Sequence, residues 1–515
     1  NKPNDKPYKD GAYYTGKEHS WDEAFGYWGA AAHGASMTPK QNYYLNETRR
    51  EFLKHTGAGI GALGLASAMN GNLFAAPGVD PLFPRKPHRP ARAKNIIYIH
   101  LVGGPSHLEL FDYKPELRKH AGKELPPDKK YINSGGRRVG FLTPNWRAFR
   151  PGGQSGLLIS DYFPRIREHA DKLAVVRSCH ADSHAHGSAL VQMNTGMPLI
   201  GRPSLGAWVA YGLGTENDSL PAHVVMLDKR GGPISGQPNW SSGFMPATYQ
   251  GTLFRPVGSP VLDLEGPAHL DRRAQRNQLD LLGELNERHL AARPGGSELA
   301  ARIQSYELAY RMQAEAPEAV NLEEEAETTR EAYGVGQSPT DEFGRNCLVA
   351  RRLVERGVRF VQLYSGGGHL EETWDAHESI EKNHGQHGAE IDQPIAALLT
   401  DLEQRGLLEE TLVVWGGEFG RTTYAQKPGD KAGRDHHPGC FTQMLAGAGI
   451  KGGHVHGETD DFCYNVTHDP VHVHDLNATL MHLLGVDHEK LTFRFQGRDY
   501  RLTDVHGKVV KEILS

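Results

Sequence analysis

Five short apolar runs punctuate the chain, each closed by glycine or a polar residue: NIIYIHLVGG (95–104), LAVVRSCH (173–180), AHVVML (222–227), RFVQLYSGGG (359–368) and TLVVWGGEFG (411–420). They are rich in β-branched residues and show no polar alternation, which predicts central strands buried on both faces. Between them, apolar residues recur at helical spacing. Ile391, Ile395, Leu398 and Leu402 do so ahead of the 411 strand, and Leu476, Leu480, Leu483 and Leu484 near the C-terminal end. Alternating strand and helix predicts a layered α/β fold around a largely parallel sheet. Residues 265–335 break this rhythm with long, charged, helix-favouring stretches interrupted at PGG. They predict a helical hairpin inserted between strands.

The N-terminal part reads differently. TRREFLK (Thr48 to Lys54) is a twin-arginine motif, followed by the weakly apolar HTGAGIGALGLASAMNGNLFAA. That stretch is too short and too small in side chains for a stable membrane span. It suits an export signal ending near Ala75–Ala76, which places the mature protein in the periplasm or otherwise outside the cytoplasm. The competing reading is a surface helix that contains two arginines. The motif lies behind 47 residues, and Met37 offers an alternative start with a short n-region. The expected organisation is an N-terminal extension (1–47), a signal segment (48–76), a Pro/Arg-rich linker (77–94) and an α/β domain (95–515) carrying the helical insertion.

Composition narrows the function classes. A net charge of −5 gives no basic face for nucleic acid. Four cysteines, far apart and without CxxC, make neither a disulfide framework nor an expected thiolate metal site, although one couple can pair in an oxidising compartment. The 28 histidines cluster with Asp, Glu and Gly.

In parallel sheets ligands gather at the carboxyl ends of the strands. After the first run come His107, Glu109 and Asp112. After the fourth come His369, Asp375, His377, His384 and His387, and after the fifth Glu418 and Arg421, then Asp435, His436 and His437 in GRDHHPG. Carboxylates mixed with imidazoles suit a divalent metal such as Zn, Mn, Ca or Mg. A second constellation, SCHADSHAHGSALVQMNTG, places Ser183 and His186 before a helix-like run. A helix start favours an anion there, while Ser183 or Ser188 acting as a helix cap is the plainer alternative.

TRREFLK, LVGGPSHLELFDYKPEL, SGFMPATYQGT, TWDAH, VVWGGEFGRT, GRDHHP, LAGAGIKGGHVHGETD and VHVHDLNATLMHLLGVD occur in this order. In these stretches the chain resembles the exported, sulfatase-like proteins of the alkaline phosphatase superfamily that form the domain-of-unknown-function 1501 family. The resemblance implies a doubly wound, largely parallel sheet flanked by helices, with metal ligands at strand ends. It implies Asp375 and His377 as a ligand pair, Glu418 in the place of a strand-end Asp, and His436 or His437 as a late histidine ligand. His186 falls where such enzymes carry their nucleophile. Two departures stand out: the first strand ends in HLVGG without an Asp, and CxPxR is absent.

The leading expectation is an exported metal-dependent hydrolase of phosphate or sulfate esters, its substrate an anionic small molecule or glycan ester. Metal ligands are expected among Asp375, His377, Glu418, Asp435, His436 and His437. Arg421 is expected to stabilise the anion, with His186 and Ser183 in the chemistry. The alternative is a catalytically inactive binding or assembly protein of the cell envelope, with an envelope partner or a second copy of itself.

Overall fold

In the computed structural model the described residues are 81–124, 140–266, 270–292, 297–368 and 372–515. The N-terminal extension, the twin-arginine segment and His369 lie outside them. The five apolar runs form β1 (Asn95–Leu101), β2 (Leu173–His180), β3 (His223–Met226), β5 (Phe360–Ser365) and β6 (Thr411–Gly416). Four further strands join them: β4 (Thr252–Phe254), β7 (Phe441–Gly447), β8 (His454–His456) and β9 (Val471–His472). The order is β8-β2-β7-β6-β1-β5-β3-β4, with β9 also paired to β2. Every pairing is parallel except those of β7, which runs antiparallel to both β2 and β6.

Alternate residues of the central strands feed two separate cores, as the period-2 geometry of a strand requires. Ile97, Ile99 and Leu101 pack with Ile391, Ile395, Leu398 and Leu402 of α6 (Ile380–Gln404) and Leu348 and Leu353 of α5 (Asp341–Glu355). Ile96 and Tyr98 pack on the other side with Trp208 of α2 (Leu205–Leu213) and Leu476, Leu480 and Leu483 of α7 (Val473–Leu483). This is a doubly wound, largely parallel α/β fold, so the strands stay apolar along their whole length. Between β4 and β5 lie α3 (Arg272–Ala292) and α4 (Ser297–Val320), joined by an Arg276–Glu307 ion pair at 2.6 Å.

Strand directions position the site. β5, β1 and β6 are adjacent and parallel, so the loops after Ser365, Leu101 and Gly416 open at one end of the sheet. β2 runs the same way and leads to α1 (His186–Thr195). Because β7 is antiparallel, its entrance lies at that same end, which is why the residues just before it arrive there. The predicted 411–420 strand stops at Gly416. Beyond it, Gly420–Arg421 pairs with His436–His437 in a two-stranded ribbon that sets Arg421 opposite His436.

Candidate metal centre

Asp375, brought in by the loop after β5, is the hub of the site, with its side chain 3% exposed. Arg421 Nη2 donates to Asp375 Oδ1 at 2.6 Å. The rest of that guanidinium is enclosed: Nε donates to Gly104 O at 2.7 Å, Nη1 to Arg434 O at 3.1 Å, and Nη2 also reaches Gly103 O. Burial opposes charge on Asp375, but the Arg421 charge above all, with the imidazoles of His186 and His436 beside it, holds its pKa well below the usual carboxylate range.

Two imidazoles face the same oxygen. His377 Nε2 lies 3.1 Å and His436 Nε2 3.4 Å from Asp375 Oδ1, and the two Nε2 atoms are 3.0 Å apart. Their other nitrogens are committed. His436 Nδ1 donates to the carbonyl of His184 at 2.8 Å, and His377 Nδ1 to Asp435 Oδ1 at 3.0 Å. Burial above all, with the Arg421 charge, pushes His436 down to about 4, so it is neutral near pH 7. A neutral imidazole with its hydrogen on Nδ1 presents a lone pair at Nε2. Three acceptors thus converge at mutual distances of 3.0–3.4 Å. Ligands bound at about 2.0–2.1 Å in a tetrahedron are separated by about 3.3–3.4 Å. The donor set therefore fits a divalent cation. The oxygen acceptors behind both imidazoles are the partners that fix ring orientation in histidine–metal sites.

His186, the first residue of α1, adds a third imidazole. Its Nδ1 is 2.6 Å from Glu418 Oε1, and its Nε2 lies 3.2 Å from Asp375 Oδ2 without hydrogen-bond geometry. Burial disfavours its charge, yet the Asp375 and Glu418 carboxylates outweigh burial and raise its pKa. Glu418 is fully buried and fixed from behind by backbone amides, Gly103 N at 3.1 Å and Gly104 N at 3.0 Å. These amides converge because Gly103 and Gly104 take φ of +106° and +61°, and a Cβ on Gly103 would lie 2.5 Å from Asp375 N. Phe419 lies under the imidazoles, with ring centroids 4.9 Å from His186 and 4.7 Å from His436.

The structure brings Asp375, His377, His436 and His186 together, with Glu418 against His186 and Asp435 behind His377. It does not bring in His437, whose Nε2 donates to Tyr464 O at 2.7 Å. Ser183 also stays outside, its Oγ 2.5 Å from Ser188 Oγ and accepting from Ala185 N. Neither serine caps α1, whose N-cap is Ala185. Arg421 is buried beneath Asp375 rather than facing an open anion site. His384 and His387 lie on α6, engaged by Ser106 N and Glu390. Sequence reading missed the Gly103–Gly104 amides, although the paired glycines directly after β1 are the trace they leave.

Residues 93–514 match the family model described as "Protein of unknown function (DUF1501)". The chain belongs to this family. No curated protein matches it. Among solved structures, this DUF1501 chain is similar to PsFucS1 sulfatase from Pseudoalteromonas sp., with 13% identity over 79% of this chain and 69% of that one, at a TM-score of 0.33. It is similar to the lipoteichoic acid synthase LtaP from Listeria monocytogenes, with 10% identity over 81% and 76%, at 0.32. A third is TAB5 alkaline phosphatase mutant His 135 Glu with Mg bound in the M3 site, with 9% identity over 70% and 92%, at 0.30.

Proposed function

We propose that the chain is an exported, metal-dependent hydrolase of phosphate or sulfate esters. The observation that carries this reading is the convergence of Asp375 Oδ1 with the Nε2 lone pairs of His377 and His436. Each imidazole is locked in that tautomer by an oxygen acceptor on its far side. Asp375, His377 and His436 would hold the cation, with His186 beside them. When bound, it supplies a positive charge that polarises an ester oxygen and lowers the pKa of a water.

The chain's own residues divide the remaining work. His377 and His436, with side chains 33% and 17% exposed, form the open side where an anionic ester can approach. Arg421 acts through Asp375: it orients the carboxylate and keeps it ionised. Glu418, immobilised by the Gly103 and Gly104 amides, holds the hydrogen of His186 at Nδ1. That leaves His186 Nε2 against Asp375, placed to hold or move a proton at the buried end of the site. The twin-arginine stretch TRREFLK supports export of a folded, metal-loaded protein.

Purified protein is expected to hydrolyse an aryl phosphate or aryl sulfate and to hold a divalent metal at this centre, with His377→Ala losing the activity and about one equivalent of metal per chain. Metal-free wild-type protein under loading conditions, with no ester hydrolysis, contradicts the reading. A second reading, a non-catalytic envelope binding protein on the same scaffold, is favoured by the enclosure of Arg421, which leaves the guanidinium facing carbonyls and Asp375. In that reading Glu418→Ala alters neither metal content nor any activity.

A further inference from the structure

Behind the ribbon that carries Arg421 lies a second convergence of metal-binding groups. His107, in the short helical turn after β1, meets Cys440, just before β7, and Cys463, from the loop after β8. Their ligand atoms lie within 4.8 Å of one another. All three are buried, at 3%, 0% and 0% exposure. The two sulfurs are 3.6 Å apart, and Cys463 Sγ is 3.0 Å from Oδ2 of the buried Asp112.

Three features point to a ligand. His107 Nε2 is buried without a hydrogen-bond partner, and its Nδ1 has only the Arg421 amide at 3.4 Å, the long limit of such a bond. An orphaned imidazole nitrogen in a dry interior is destabilising unless something occupies it. Cys463 holds φ +56°, a left-handed conformation rare for a residue with a Cβ. That conformation is enforced by Asp460, whose carboxylate accepts from Phe462 N, Tyr464 N and Asn465 N at 3.1, 2.8 and 3.1 Å. The strain is thus maintained by a dedicated cap while the thiol points inward. Finally, thiolates sharing a tetrahedral zinc at about 2.3 Å stand about 3.8 Å apart, close to the observed spacing, whereas a disulfide needs about 2.05 Å.

We infer that His107, Cys440 and Cys463, with the Asp112 carboxylate beside them, form a structural site for a thiophilic divalent cation of the zinc type. It is separate from the Asp375 centre. Binding replaces the two thiol hydrogens, releasing two protons to solvent, and uses the Nε2 lone pair of His107 with the ring hydrogen on Nδ1, which gives up the long Arg421 amide contact. A disulfide between the same cysteines would leave His107 Nε2 orphaned. The site would brace the Gly420–Arg421 strand, and through Arg421 the position of Asp375.

Cobalt substitution of the intact purified chain tests this directly. The expected result is a thiolate-to-cobalt charge-transfer band that Cys440→Ser and Cys463→Ser each abolish, with metal content falling by about one equivalent per chain. His377→Ala, which empties the other centre, leaves the band unchanged, so failure here is distinguishable from failure of the hydrolase reading. Thiol titration of chelator-treated, denatured wild-type protein without reductant is expected to find all four cysteines reactive. Absence of the band in the wild-type protein, or two thiols lost to a disulfide, overturns the inference, and neither measurement depends on the variants folding.

Discussion

At the residue scale the site is a problem in charge placement. Asp375 and Glu418 are both buried carboxylates, and buried charge is retained only where partners replace water. Asp375 has Arg421 and the facing imidazoles. Glu418 has two backbone amides and His186. Asp435 contributes indirectly, because its hydrogen bond to His377 Nδ1 decides which nitrogen of that ring faces the site. Asp435→Asn is therefore expected to weaken metal binding by about 10–100-fold without dismantling the ligand set. Titration against a chromophoric chelator measures this, and unchanged affinity would remove Asp435 from the site. Part of this arrangement was legible in the residue types: TWDAH and GRDHHP announce ligands. Which of His436 and His437 turns inward was not, because neighbours in a strand point to opposite faces and only the pairing of the ribbon chooses between them.

At the scale of elements, the loop that delivers Asp435 and His436 is held by Arg434. This side chain is fully buried and paired with the equally buried Glu109 at 2.7 Å, and it also donates to the carbonyls of Thr422, Thr143 and Pro144. Removing one partner of such a pair strands a charge in the interior. Arg434→Met is expected to cost about 3–5 kcal/mol in urea unfolding and to displace the metal site as well. A loss under about 1 kcal/mol would show that the pair is poorly desolvated. The five apolar runs were readable as strands because burial on both faces leaves an uninterrupted apolar signature. β7 was not, since FTQMLAG mixes polar and small residues, with Gln443 donating to Gly417 O across the sheet. Yet β7, as the antiparallel member, brings Asp435 and His436 to the carboxyl end of its neighbours.

For the whole molecule, the loops at the site end are tied to the outer helices, so stability and site geometry share the same ion pairs. Glu390 on α6 receives Arg230 at 2.8 Å and His387 at 3.2 Å, while Asp228 beside Arg230 accepts from Gly366 N at 2.7 Å. Burial would raise the pKa of Glu390, but His387 and Arg230 together hold it down to about 2 against an ordinary 4.5. A carboxylate depressed in the folded state stabilises it above its unfolded pKa and loses that contribution as protons bind. Urea midpoints are thus expected to fall between pH about 4.5 and about 2, with Glu390→Gln flattening that part of the profile. An identical profile in the variant would assign the acid loss elsewhere. No helix among the described residues is long and apolar enough to cross a membrane. The central claim, a divalent cation held by Asp375, His377 and His436, is tested most directly by anomalous diffraction from crystals grown with zinc or manganese. The expected result is a peak about 2.0–2.2 Å from Asp375 Oδ1 and both Nε2 atoms. Crystals that show no metal between these three residues, with His377 and His436 hydrogen-bonded to each other instead, would contradict the account.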